Sequence, residues 1–166
     1  MSNEQTSPSL AQWLQSEFTT LYENSEAEED SANGISARIQ YLFSPAAQIY
    51  INHSGPLPSE EFLKHVKAFG STKAEVDWKE CFDVNNNEEQ SDTAGIVAGY
   101  FIITRTLKFR IRAAPAKNIT HVSFSAKISH EPDVEKSSDT KQIVQLFYTF
   151  KSKPAPVHFQ GIQSRT

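Results

Sequence analysis

The stretch "AEVDWKECFDV", Ala74 to Val84, alternates apolar and charged residues with the two-residue period of a half-buried strand. Val76, Trp78, Phe82 and Val84 point one way; Glu75, Asp77, Lys79 and Asp83 point the other. Three further runs, at about 94–112, 119–130 and 142–152, are rich in the same alternation. They are separated by the polar, turn-forming segments "NNNEEQSD", "AAPAKN" and "EPDVEKSSDT". Four consecutive long strands predict an antiparallel meander, and its greasy face must be covered by something else in the chain.

The cover comes first in the sequence. Leu10, Trp13, Leu14, Phe18, Leu21 and Tyr22 recur at helical spacing behind a Ser9 cap with Gln12 three residues on. Ile35, Ile39 and Leu42 predict a short second helix after Gly34, and Ala47, Ile49 and Ile51 a strand. "GPLPSEEFLKHVKAF" predicts a turn, a Ser59 cap and a helix burying Phe62, Leu63, Val66 and Phe69, with His65 on its polar side. Helices followed by strands give an α+β class: a curved antiparallel sheet wrapped around N-terminal helices. One domain is expected over 9–152, with tails at 1–8 and 153–166, and "ENSEAEEDSANG" is a solvated acidic break.

At 166 residues the chain can bury a sizeable core, and eleven Phe, five Tyr and two Trp supply it. A net charge of -4 argues against a dedicated nucleic-acid surface. Lys108, Arg110 and Arg112 form an outward basic strip without interleaved aromatic platforms, so no nucleic-acid partner is expected. The single cysteine, Cys81, excludes an internal disulfide and a cysteine-built zinc site, and no spaced His/Asp/Glu set predicts another metal. Phosphate loops and nucleophile elbows are missing too, so no cofactor is expected. With no signal-peptide pattern and no apolar run of membrane-spanning length, the expected setting is cytoplasmic, with the nucleus second and no membrane partner.

Closing the hairpins predicts the pairing. Phe124 falls by Leu107 on one side and Tyr148 on the other, Arg105 by Ala126, and Ile128 by Val144. At the first hairpin Trp78 falls by Phe101, Phe82 by Val97 and Glu80 by Gly99.

This order of elements, with "LFSPAAQIYIN" and "PSEEF" in it, resembles the nuclear transport factor 2-like superfamily over about residues 9–152. That group includes SnoaL-like cyclases, ketosteroid isomerases and scytalone dehydratases. The resemblance implies a cone whose sheet curls around the helices and leaves a deep apolar pocket. Members include cofactor-free enzymes, small-ligand binders and dimeric adaptors, so the fold alone does not choose among them.

Three polar residues interrupt the inward rows. His53 extends Ala47-Ile49-Ile51, Glu80 sits on the apolar side of its strand, and Arg105 lies between Ile103 and Leu107. A carboxyl desolvated in such a pocket is suited to proton transfer near neutral pH. Glu80 would move the proton, His53 would assist, and Arg105 would hold an oxyanion; exposed positions for Glu80 (through a β-bulge) and His53 (in a turn) are the alternatives. Tyr22, Trp78, Gly99, Phe101 and Tyr148 would contact a small apolar or aromatic ligand, and Tyr41 and Tyr50 are further candidate hydroxyls. On the other face Tyr100 and Ile102, joined by Ile143 and Phe147, make an apolar patch that predicts a homodimer through the outer sheet. The expected function is a small-molecule binder or a cofactor-free isomerase, cyclase or dehydratase. The alternative is a non-enzymatic dimeric adaptor, favoured if rings fill the interior and Glu80 faces solvent.

Overall fold

The computed structural model describes residues 8–23, 34–67, 71–84, 94–111, 114–130 and 141–156. Three helices, α1 (Leu10–Glu23), α2 (Ile35–Leu42) and α3 (Ser59–Lys67), pack on one face of a six-stranded sheet. Its strands are β1 (Phe43–Ile51), β2 (Ser54–Leu57), β3 (Ser71–Val84), β4 (Gly95–Ile111), β5 (Ala114–His130) and β6 (Lys141–Pro154). They lie in the order β2-β1-β6-β5-β4-β3, an unclosed curved sheet in the α+β class. All neighbours are antiparallel except β1 and β6, which run parallel. No tight turn joins that pair, so nothing local dictates its direction.

Local chemistry explains the helical cover. Gln12 N donates to Ser9 Oγ at 3.2 Å and Ser9 N to Gln12 Oε1 at 3.0 Å, a reciprocal box that starts α1. Ala11 N donates to Asp83 Oδ2 at 3.0 Å, so β3 holds the same helix end. Leu10, Leu14, Phe18, Leu21 and Tyr22 are buried along the inward stripe of α1. Ile35, Ile39 and Leu42 are buried on α2, as their spacing predicts. On α3, Phe62 and Val66 are buried and Leu63 partly so; the expected Phe69 lies outside the described residues.

The β5–β6 pairing is as expected from Asn118↔Pro154 to Lys127↔Gln145, including Phe124↔Tyr148. Beyond it Val144 is an extra residue, so Ile128 pairs with Ile143 rather than Val144. That turns Ile143 into the core, fully buried, and removes it from the outer patch where the sequence pattern set it. Between β4 and β5 the expected 113–118 loop is strand from Ala114, so Arg105 faces Asn118 instead of Ala126, and Phe124 faces Gly99 instead of Leu107. The displacement is an even number of positions. Every described side chain of the pair therefore keeps its expected face despite the wrong partner.

The β3–β4 pairing holds through Trp78↔Phe101 and then slips by one at a bulge, so Glu80 pairs with Tyr100 and Phe82 with Ala98. An odd slip reverses the faces. Cys81 and Asp83 turn inward, while Glu80, Phe82 and Val84 turn out, the last two each 51% exposed. Gly99 sits against this bulge. A β-carbon there would lie 2.6 Å from the Glu80 carbonyl oxygen and 3.1 Å from a Phe124 ring carbon. Its missing side chain thus admits the neighbouring strand and ring, not a ligand as the sequence suggested. Gly99→Ala should cost about 1–3 kcal/mol through overpacking against backbone. Calorimetry should show its midpoint lowered by roughly 4–8 °C for a 2 kcal/mol loss.

Candidate functional site

The interior face of the cone carries the rings of α1, α3 and the sheet packed on one another. Phe18 lies 5.3 Å from Phe124, 6.1 Å from Phe101 and 6.4 Å from Phe62 between ring centroids. Trp78 packs against Phe101 with centroids 4.5 Å apart and planes tilted by 42°, and donates Nε1–H to Thr19 Oγ1 at 2.9 Å. These spacings are direct aromatic packing. Of the expected ligand-contacting residues, Tyr22, Trp78, Phe101 and Tyr148 do come together, but as parts of a packed core.

A polar group lies at one side of these rings. Arg105, from the inward row of β4, is 2% exposed, and its guanidinium carbon stands 5.8 Å from the centre of the Tyr22 ring. Its Nη1 donates to Thr120 Oγ1 at 3.5 Å; that hydroxyl also meets Ser152 Oγ at 2.7 Å and donates to Asn118 Oδ1 at 3.3 Å. Tyr22 from α1 and Tyr148 from β6 share a hydroxyl–hydroxyl bond of 2.5 Å, both rings fully buried. Burial drives both phenols well above their usual range, so each keeps its proton at neutral pH. Desolvation lowers the pKa of Arg105. The sequence reading placed Arg105 on an inward row, and the structure buries it there.

His65 belongs beside this group, which corrects its placement on the polar side of α3. Its ring packs 4.3 Å from Phe150, 5.1 Å from Tyr148 and 6.0 Å from Phe62. Its Nε2 is shut from solvent and finds no hydrogen-bond partner among the described residues. Burial first, and the Arg105 charge second, push its pKa down to about 4, so it is neutral at pH 7. The sequence held the clue: His65 follows Phe62 by one helical turn and adjoins Val66, on the flank of the buried stripe. Thr120 and Ser152 were overlooked because small hydroxyl residues on strands give no pattern of their own.

The other two proton-transfer candidates lie elsewhere. Glu80 is exposed on the outer sheet face, since the bulge reverses its orientation. His53 is exposed in the turn between β1 and β2, where Asn52 (φ 49°) and His53 (φ 66°) both adopt the left-handed conformation of a two-residue hairpin. It therefore does not continue the Ala47-Ile49-Ile51 row. Tyr41 is half exposed, and Tyr50 lies on the outer face against Phe147. What remains inside is a fixed cation, two protonated phenols and a neutral imidazole. Such a set can orient an oxygen-bearing group, but no carboxylate base from the expected trio faces it.

The outer face has its own order. One row crosses five strands: Tyr50, Phe147, Ser125, Ala98 and Phe82 are successive neighbours. Tyr50 and Phe147 stack at 4.8 Å with planes 10° apart, and Phe147 remains 47% exposed. One level along, Tyr100 lies by Ser123; its hydroxyl meets His121 Nδ1 at 2.5 Å. Tyr100 and Ile102 are on this face as expected, each partly exposed. The side chains of Lys108, Arg110 and Arg112 lie outside the described residues. Among the described residues no group of three His, Cys, Asp or Glu could hold a metal ion, and no helix is long and apolar enough to cross a membrane.

Comparison with known proteins gives structure only. No protein-family model and no curated protein matches the chain. Among solved structures, the hexachlorocyclohexane dehydrochlorinase LinA type 3 from Novosphingobium barchaimii superposes with a TM-score of 0.54 at 10% identity, covering 89% of this chain and 90% of its own. A LinA type 2 dehydrochlorinase gives 0.52 at 9% identity, covering 90% of each chain. Nuclear transport factor 2 from Cryptosporidium parvum gives 0.45 at 12% identity, covering 86% of this chain and 90% of its own. At these identities the likeness concerns the fold.

Two stability experiments probe the interior. Tyr148→Phe removes the partner of a buried Tyr22 hydroxyl and should cost about 1–3 kcal/mol, whereas Tyr22→Phe with Tyr148→Phe should recover much of the loss. Denaturant melts of the two single variants and the double variant measure this. For His65, the folded pKa lies below the unfolded value near 6.5. Its stabilising contribution is full above that pH and falls as the pH drops toward about 4. Urea midpoints at pH 7, 5.5 and 4.5 should fall more steeply for the wild type than for His65→Leu, by on the order of 3 kcal/mol over the full range.

Proposed function

The chain has the fold of the nuclear transport factor 2-like superfamily, and we propose that it works as a non-enzymatic protein-interaction module that dimerises through its outer sheet face. The single observation that carries this reading is the row of Tyr50, Phe147 and Phe82 on the solvent side of the sheet. Large apolar rings at a pleated surface are costly to leave in water, at about 25 cal/mol per Å² of apolar area. Edge and centre of the row together make a surface that a folded partner can cover. The ring packing inside the cone and the outward Glu80 support the same reading, since they leave the interior to stability rather than turnover.

Sedimentation of the wild type should show a dimer at micromolar concentration. Tyr50→Ser with Phe147→Ser should weaken association roughly 100-fold, as loss of desolvated aromatic anchors does. The circular dichroism of that variant should be unchanged, because both rings lie outside the core. A wild type that stays monomeric at high concentration would falsify this reading.

A second reading has one specific observation behind it. Arg105, Tyr22, Tyr148 and the Nε2 of His65, which has no hydrogen-bond partner among the described residues, converge in a largely apolar interior. Polar groups so placed suit a small aromatic ligand bearing a carboxylate or carbonyl oxygen. Thermal stabilisation by aromatic carboxylates that disappears in His65→Leu would favour it; no shift in either protein would count against it.

A further inference from the structure

The sheet distributes its charge unevenly. The strand sequences of β1, β2, β4, β5 and β6 contain no acidic residue; every Asp and Glu of the sheet lies on β3. Glu75, Asp77 and Glu80 of β3 are exposed, Glu75 and Asp77 facing outward with the same rows as Thr104 and Ile102. Across the sheet those rows end on Lys153 and Lys151 of β6, both exposed. One level runs Asp77, Ile102, His121, Lys151; the next runs Glu75, Thr104, Ile119, Lys153. Each level is negative at one end and positive at the other. Within β3, Lys79 pairs with Asp77 at 2.5 Å and Lys73 with Glu75 at 2.7 Å, but these are solvent-exposed pairs that can be shared or exchanged at little cost.

Resting on the dimer reading above, we propose that the partner is a second copy of this chain turned about a two-fold axis parallel to the strands, passing over the boundary between β4 and β5. A face-to-face pair of identical sheets has its two-fold axis in the plane of contact, and the two limiting directions are along the strands and across them. An axis across them lays β3 on β3 and β6 on β6. It places Lys151 and Lys153 against the same lysines of the other copy, on a strand with no carboxylate to meet them. An axis along the strands lays β3 on the partner's β6 at equal height. Asp77 then faces the lysine level of the other copy, and Glu75 does the same one step on. Opposite charges meet twice over by symmetry.

Side-chain size supports the same arrangement. The outside of a curved sheet is convex, so two such faces touch along their middle and diverge toward their flanks. The aromatic row has Ser125 and Ala98 in the middle and Phe147 and Phe82 at the flanks, with Tyr50 stacked on Phe147 outside them. Small residues permit close approach where the surfaces meet. Large rings fill the space where they part. About the proposed axis, Phe82 of one copy lies over Phe147 of the other.

Charge reversal tests the axis separately from the dimer. Lys151→Glu with Lys153→Glu should weaken self-association roughly 10- to 100-fold, and Glu75→Lys with Asp77→Lys should do the same. Mixing the two variants in equal amounts should restore a heterodimer of near wild-type affinity, seen by sedimentation at 50 and 500 mM salt. Higher salt should weaken the wild type and the restored pair together. Because all four residues are exposed, unchanged circular dichroism is expected for both variants. If the reversed proteins dimerise like the wild type, or if mixing restores nothing, the axis is wrong while the outer-face dimer stands. A monomeric wild type overturns the reading on which the axis rests.

Discussion

Between Trp78 and Glu80 the edge strand carries one residue more than the strand beside it, and the allocation of inside and outside follows from that insertion. A pleated strand without it would bury Phe82 and Val84 and aim Glu80 among the rings. With it, Cys81 and Asp83 face inward instead. The Cys81 thiol lies 3.9 Å from the Ala11 carbonyl oxygen, and burial pushes its pKa up to about 11, an unreactive thiol. Asp83 receives the first turn of α1. The irregularity that removes a carboxylate from the interior thus supplies the one that seats the main helix. It also hands Phe82 to the outer surface.

The two faces of the sheet consequently have different tasks. The inner one is occupied by rings packed on rings, with a cation, two phenols and an imidazole at one side, each neutral or held by neighbours. Maintaining that arrangement is a matter of stability. The outer one combines stacked aromatics, small residues and segregated charge in rows that cross the whole sheet. The outer surface therefore carries features that the packing of the interior does not require.

Much of the fold was legible from spacing alone. Helical periodicity located α1 and α2 and gave their buried residues, and alternation located the four long strands. Faces survived even where partners were misjudged, because the β4–β5 displacement was even. What the pattern could not show were the odd events. The extra residues at Lys79 and Val144 look like ordinary strand positions, yet each reverses everything beyond it. They account for Glu80, Phe82, Val84 and Ile143 all lying on the face opposite to the expected one. His53 was misplaced because its row was extended through a left-handed turn. Arg105 was recognisable as an interruption of an apolar row, whereas His65, at the margin of a helical stripe, was assigned to the wrong side by a fraction of a turn.

The parallel pairing of β1 with β6 has a consequence for how the molecule is made. β1 emerges from the ribosome early, about ninety residues ahead of the strand that will hold it, on a chain synthesised at roughly 5–20 residues per second. Until β6 arrives, β1 has only the short β2 beside it. The two-strand end of the sheet must therefore wait roughly 5–18 seconds at that rate, with β1 covered meanwhile by α2 and α3 rather than by β6.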